Sequence, residues 1–371
     1  MHIVQTILIV KEVFRMDKII KMGFVGLGRI GWSMAKNELS KYPEKFTIVA
    51  ACDLIPERTA KVAELYPGCK EYTDYAEMIK QEDIEVVYIA TRSCDHFDHA
   101  MMALKAGKDV VLEKPATISY DEAVELYKHA NKPGTPRLFV HQQRRLEEAF
   151  CKMMEVVASG KLGKVFEVNI HQNGFQHRDD WQTIDEFGGG QLLNWGPHMI
   201  DQSWQFLGTP TADIRSYLFQ ETAGGNCEDH LGITLVGNND RVVNMYISGA
   251  TALRIGRVYE AFGNRGAAVF ENKKLKLRYI NPEQEIPEIV ANPGTPGASF
   301  GSSGTYESKL VIDWVTEEYD VDPEGDQLPT YWALLHETLT EGKPFIISDH
   351  DVLTIMRTIS TVKAQNKYIM K

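Results

Sequence analysis

The chain has 371 residues, 43% of them apolar and 25% charged, so its length favours two domains with separate cores, and no segment has the low hydrophobicity of a disordered tract. Lys and Arg total 40 against 51 for Asp and Glu, a net charge of −11 that, without a basic patch, speaks against nucleic acid or an anionic membrane surface as partner. Five dispersed cysteines, Cys52, Cys69, Cys94, Cys151 and Cys227, lack any CxxC spacing, so neither a disulfide framework nor a zinc knuckle is suggested and a reducing cytoplasm fits best.

Residues 1–16 hold a short apolar run broken by Gln5 and Thr6, with no small-residue cleavage site after it. They read as an N-terminal extension, and not as a signal peptide or membrane span. From residue 17 to about 141, β-branched runs alternate with amphipathic stretches, the pattern of βαβ units and a doubly wound parallel sheet. The expected strands are IKMGFVGL, FTIVAACD, VVYIAT, DVVLEKP and RLFVHQQ. GWSMAKNELSK, IPERTAKVAELY, HFDHAMMALKAGK and SYDEAVELYKHAN carry helical spacing between them. Beyond residue 142 a long helix, LEEAFCKMMEVVASGKLG, leads into VFEVNIHQ, SYLFQET, DHLGITLVG, VVNMYISGA and RVYEAFG, which follow one another as an antiparallel sheet. Two helices, around TYWALLHETLTEG and HDVLTIMRTISTVKAQN, close this α+β domain. The Pro, Gly and Ser-rich stretch 281–304 reads as a loop or lid.

Gly26, Gly28 and Gly31 form GxGxxG where the first strand gives way to a helix. In a dinucleotide site Gly26 permits the tight turn, Gly28 lets the backbone approach a pyrophosphate, and Gly31 lets helix pack on strand. Leu27, Arg29 and Ile30 lie in the same cradle. Asp53, about twenty residues on at the end of the second strand, stands where an acid receives the adenosine ribose hydroxyls. Its charge repels a 2′-phosphate and favours NAD, while Arg58 is near enough in sequence to leave NADP open. A Gly-rich packing turn and a turn residue before Pro56 would leave the same marks.

The strand end Glu113-Lys114-Pro115, taken with the glycine motif, RRLEEAF, GKLGKV, GGGQLLNWGPHMIDQ and GKPFIISDHDVL in this order, resembles the Gfo/Idh/MocA oxidoreductases, named for glucose-fructose oxidoreductase and inositol dehydrogenase. The resemblance spans nearly the whole chain. It implies an N-terminal Rossmann domain and a C-terminal α+β domain whose large, mostly antiparallel sheet leaves one face open to pair subunits into a homodimer or homotetramer. It also implies hydride transfer between a nicotinamide and a sugar, cyclitol or related keto compound. Lys114 then lies beside the nicotinamide and the reacting hydroxyl, where a lysine of lowered pKa relays a proton. Glu113, Thr91, Arg92 and His96 match cofactor-contacting positions, although Arg92 stands where relatives carry proline and would serve equally as a solvated loop arginine.

The family's GGGxLxDxGxHxxD cluster reads Gly188, Gly189, Gly190, Leu192, Asn194, Gly196, His198 and Asp201. Asn194 replaces the usual aspartate and orients a hydroxyl without taking its proton, so proton handling falls to Lys114 and His198. Arg145, Arg178 and Trp181 are the expected substrate contacts, with a Trp face suited to sugar C–H groups. Plain structural roles remain open for each: a salt bridge from Lys114 to Glu113, helix capping by Asn194 and His198, and a domain-edge plug for Trp181. The spread of His96, His171, His177, His198 and His230 matches no ligand spacing, so no metal is expected. Two further activities stay open from the resemblance: redox-assisted glycoside elimination with tightly held NAD, and a non-catalytic regulator that senses dinucleotide or sugar.

Overall fold

The computed structural model describes residues 18–253, 256–288, 310–322 and 327–366. The N-terminal extension and, from residue 289, the loop or lid segment lie outside them.

The first sheet comprises β1 (Ile20–Val25), β2 (Phe46–Cys52), β3 (Lys70–Tyr72), β4 (Val86–Ile89), β5 (Asp109–Leu112) and β6 (Leu138–Val140), all parallel, in the order β3-β2-β1-β4-β5-β6. Residues 86–89 and 138–140 are buried throughout, because helices cover both faces and no solvent face asks for polar alternation. The connections run through α1 (Arg29–Ser33), α2 (Pro56–Leu65), α3 (Tyr75–Met78), α4 (His96–Lys105) and α5 (Tyr120–His129). Ser119 and Glu122 cap α5 reciprocally, which explains its sharp start. Strand order reverses between β1 and β4, so the crevice at their C-terminal ends is where this topology binds ligands.

After α6 (Glu148–Ala158) the chain forms β7 (Val165–Asn173), α7 (Gln191–Asn194), α8 (Gly196–Leu207), β8 (Thr211–Phe219), β9 (His230–Gly237), β10 (Val242–Ser248), β11 (Gly256–Gly263), β12 (Gly266–Glu271), β13 (Lys274–Ile280) and β14 (Trp314–Asp320). These eight strands lie in the order β14-β13-β12-β11-β7-β10-β9-β8, with β7 and β10 as a parallel pair amid antiparallel neighbours. Leu231, Ile233 and Leu235 face the core, while His230, Thr234 and Val236 lie on the other face. β12, β13 and β14 are additions to the sequence reading, and the alternation in KLKLRYI was the available signal for β13. β3 carried none, being a three-residue edge strand.

Two helices close the chain, α9 (Gln327–Glu341) and α10 (Asp349–Gln365), but they serve different cores. Tyr331, Trp332 and Leu335 of α9 are fully buried with Phe24, Phe46 and Tyr88 of the first sheet, and Trp332 meets Phe46 edge-on at 5.5 Å. α9 therefore returns to complete the core of the first domain. The boundary drawn at residue 141 divides the sheets, not the packing.

Candidate active site

At the C-terminal ends of β1, β2, β4 and β5 lies a cavity of about 1190 Å³ that reaches across to Trp181, Gly190 and Asn194 of the second domain. The glycine turn forms one wall. Gly26 has φ +82°, and a Cβ there would stand 2.6 Å from the Ala90 carbonyl oxygen. A Cβ on Gly31 would overlap the carbonyl oxygen of Gly26, so this glycine sets the approach of helix to turn. Gly28 differs: nothing lies within 4 Å of where its Cβ would be, and that free space faces the cavity. Tight turn, close packing and open approach thus fall to Gly26, Gly31 and Gly28, which is the division of labour a pyrophosphate cradle needs. Leu27 is buried beneath the turn, and Arg29 and Ile30 line the cavity.

Asp53 receives the backbone N–H groups of Leu27 at 2.7 Å and Ile55 at 3.0 Å, which fixes its carboxylate at the mouth of the cradle. Arg58 pairs with it, Nη1 at 3.3 Å from Oδ1. On the β4 side, Thr91 Oγ1 bonds His99 Nδ1 at 3.0 Å. The His96 ring is buried between carbonyls, with Nδ1 2.7 Å from Pro115 O and Nε2 3.3 Å from Thr91 O. Burial lowers its pKa despite these acceptors, so the neutral ring donates its single N–H to one of the two carbonyls. Arg92 Nε donates to Asp95 at 3.1 Å, and its guanidinium lies 4.7 Å from the Phe187 ring centre, closing the cleft from the second domain.

Behind the cavity floor, Glu113 turns its carboxylate inward. It accepts from Tyr88 Oη at 2.5 Å, from His141 Nδ1 at 2.6 Å and from the Lys114 backbone N–H at 3.2 Å. Burial opposes its charge, but His141, Lys114 and Tyr88 outweigh that and hold its pKa at about 2. Its carboxylate is thus anchored inward, while the residue still contributes to the cavity lining. Lys114, joined to Pro115 by a cis peptide, points the other way. Its Nζ donates to the Asn194 carbonyl at 3.1 Å and reaches Oδ1 of the same residue at 3.4 Å. Burial lowers its pKa to about 8; Glu113 resists, while Arg144, Arg29 and Arg178 add to the fall.

The second-domain residues divide. Trp181 and Asn194 line the cavity. Arg178 stands just behind that wall, donating to Asp180 at 2.6 Å and to Gln182. His198 is buried with Nδ1 2.9 Å from Gln142 Oε1, and burial together with Lys114 and Arg144 pushes its pKa well below the usual value. It stays neutral and holds the start of α8, near enough to Lys114 to feel its charge. Arg145 is likewise committed elsewhere, to Asp201 (Nε to Oδ2 2.9 Å) and to Asp351 at 3.2 Å. Sequence reading missed Glu228, a buried carboxyl that accepts the Leu192 N–H at 2.8 Å. It is 36 residues from that partner, and only the fold joins them.

A glycine cradle and ribose-facing acid on a doubly wound sheet, set against an open-faced sheet across a single lysine, define a two-domain protein of the dinucleotide-binding class. The chain belongs to the Gfo/Idh/MocA oxidoreductase family: the model described as the oxidoreductase family, NAD-binding Rossmann fold, matches residues 20–141, and the family's C-terminal domain model matches residues 150–269. An uncharacterised oxidoreductase of Schizosaccharomyces pombe is 32% identical over 203 residues, 53% of this chain and 55% of that protein. That match thus spans about half the length of the relative. The scyllo-inositol 2-dehydrogenase (NADP(+)) of Bacillus subtilis is 26% identical over 353 residues, 94% of each chain. The solved NAD-binding protein from Listeria innocua has the same fold, with a TM-score of 0.77 at 20% identity over 94% of this chain and 98% of that one. Among the described residues no cluster of His, Cys, Asp or Glu is arranged to hold a metal, and no helix is long and apolar enough to cross a membrane.

Proposed function

We propose that the chain is an NAD(P)-dependent dehydrogenase or reductase acting on a secondary alcohol or the matching ketone of a sugar, cyclitol or similar polyhydroxylated compound. The observation that carries this reading is the Lys114 amine. It lies in the wall of the cradle cavity, anchored on Asn194, with its pKa lowered to about 8. A bound nicotinamide dinucleotide would supply the hydride acceptor or donor. Neutral Lys114 Nζ takes the proton of a substrate hydroxyl, and its ammonium returns one to a carbonyl oxygen. Asn194 Oδ1 keeps Nζ in place and offers its amide to a second hydroxyl. Trp181 gives an apolar face for the C–H side of a ring. The inositol dehydrogenase relative supports a polyhydroxylated substrate.

NAD is the preferred dinucleotide in this reading, because a 2′-phosphate would approach the Asp53 carboxylate while Arg58 is already paired to it. Asp53→Ser frees Arg58 and should move relative affinity from NADH towards NADPH, as read by fluorescence titration.

Absorbance assays with NAD, NADP and their reduced forms across sugars, inositols and keto-sugars test the activity, with Lys114→Ala as control. Net, Lys114-dependent nicotinamide reduction or oxidation supports it. Glycoside cleavage without net absorbance change, in protein that carries NAD through purification, would replace it with redox-assisted elimination.

A further inference from the structure

Behind Asn194 a small side chamber adjoins the reaction cavity, with about 20 Å³ available to water. That is room for one molecule. The two spaces share Gln182, Gly190 and Asn194 as walls. Glu228, a residue 5% exposed, also lines the chamber. Gly190 belongs to this arrangement: it has φ +95°, and a Cβ there would overlap the Glu228 carboxylate. The last glycine of the GGG run therefore makes room for an acid. Gln191, 7% exposed, also lines the chamber, and its Oε1 has no hydrogen-bond partner among the described residues. A buried amide oxygen without a donor is costly, and a chamber water offers one while bonding Glu228.

We propose that Glu228 is the proton reservoir of this site, linked to the reaction cavity by one water held between Gln191 Oε1 and its own carboxylate. The proposal rests on the oxidoreductase reading of Lys114. In the oxidising direction a bound nicotinamide dinucleotide would accept the hydride of the substrate C–H, and the neutral Lys114 amine takes the O–H proton. The resulting ammonium, held on Asn194 of the shared wall, gives its proton to water of the reaction cavity, the chamber water passes a proton on to the Glu228 carboxylate, and the amine is neutral again. Glu228 thereby restores the titratable carboxyl that Asn194 lacks.

The surroundings keep such a proton exchangeable near neutrality. Burial raises the Glu228 pKa to about 7, against the Leu192 N–H and its own backbone N–H, with Lys363 lowering and Asp185 raising it. Lys363 reaches it from α10 and Asp185 from the turn before Gly188, and these two face each other at 3.7 Å. Arg178 and Asp229 complete the charged lining; Asp229 is occupied by the N–H groups of Glu221, Thr222 and Ala223.

The test is Glu228→Gln, which keeps an oxygen for the Leu192 N–H and removes the titration. Infrared difference titration of the ligand-free full chain should show a carboxyl titrating near pH 7 that is missing in the variant. The pH profile of substrate oxidation should lose its lower inflection and keep the one near 8, with the rate at pH 7 falling roughly tenfold, less than the loss expected for a direct general base. A carboxyl that titrates as an ordinary Glu, or a variant profile with both inflections intact, would overturn the proposal. If Glu228→Gln does not fold, Gln191→Met removes the water's acceptor, and an unchanged proton-limited rate in that variant overturns it too. Failure of the oxidoreductase reading shows separately, as absence of any Lys114-dependent turnover, while the ligand-free titration still decides whether Glu228 holds the proton.

Discussion

The Lys114 amine stands among one carboxylate and three guanidinium groups, and burial tips the balance towards the neutral form. Removing it in Lys114→Ala should cut kcat by about 10²- to 10⁴-fold with little change in melting temperature, as expected for loss of a positioned proton carrier. The oxidising rate should rise with pH through about 8, because only the neutral amine accepts the hydroxyl proton, and carbonyl reduction should fall over the same interval. Lys114→Arg should rescue neither, since guanidinium does not give up its proton in this range. The glycines separate in the same way. Gly31→Ala forces a Cβ into the Gly26 carbonyl and should cost about 1–3 kcal/mol of stability, seen in urea melts. Gly28→Ala enters free space and should leave stability unchanged, yet weaken dinucleotide binding in a fluorescence titration.

Arg145 joins the 3₁₀ turn Gln143–Leu146 to α8 through Asp201 and to α10 through Asp351. With 9% of the Arg145 side chain and 2% of the Asp201 side chain exposed, Arg145→Met leaves a buried carboxylate uncompensated and should destabilise the chain by about 3–5 kcal/mol, measured by chemical denaturation. A substrate contact would instead raise KM and spare stability. At the end of β5, Glu113 carries a pH dependence whose sign is set by its low native pKa. The folded chain keeps it ionised to about pH 2, while the unfolded chain takes up a proton near 4.5. Its contribution is therefore complete above that value and is lost as pH falls towards 2, on the order of 3 kcal/mol over the interval. Glu113→Gln should flatten the acid limb of stability measured from pH 6 to 3.

The open face of the eight-stranded sheet carries rows of aromatic and polar groups: Tyr217 over His230 at 5.7 Å, His171 stacked on Tyr246 at 5.0 Å, and Asn244 bonded to Asn169 and Thr234. Sedimentation should give a dimer or tetramer, and a charge introduced at exposed Phe166 on this sheet, Phe166→Glu, should shift it towards monomer. Local order was open to reading from sequence wherever a signal stays within one or two elements. The βαβ alternation, GxGxxG before a helix, Asp53 at the second strand end and EKP after the fifth strand each depend on neighbours along the chain, and together they determined the doubly wound domain and its dinucleotide cradle. Tertiary structure alone decided where the ambiguous groups point. Arg145 and His198 looked like ligands because charge and ring type do not record burial; long-range partners at Asp201, Asp351 and Gln142 take them inward. The perturbation of Glu228 and the sheet on which α9 packs carried no local mark, since both arise only when segments distant in sequence pack together and exclude water.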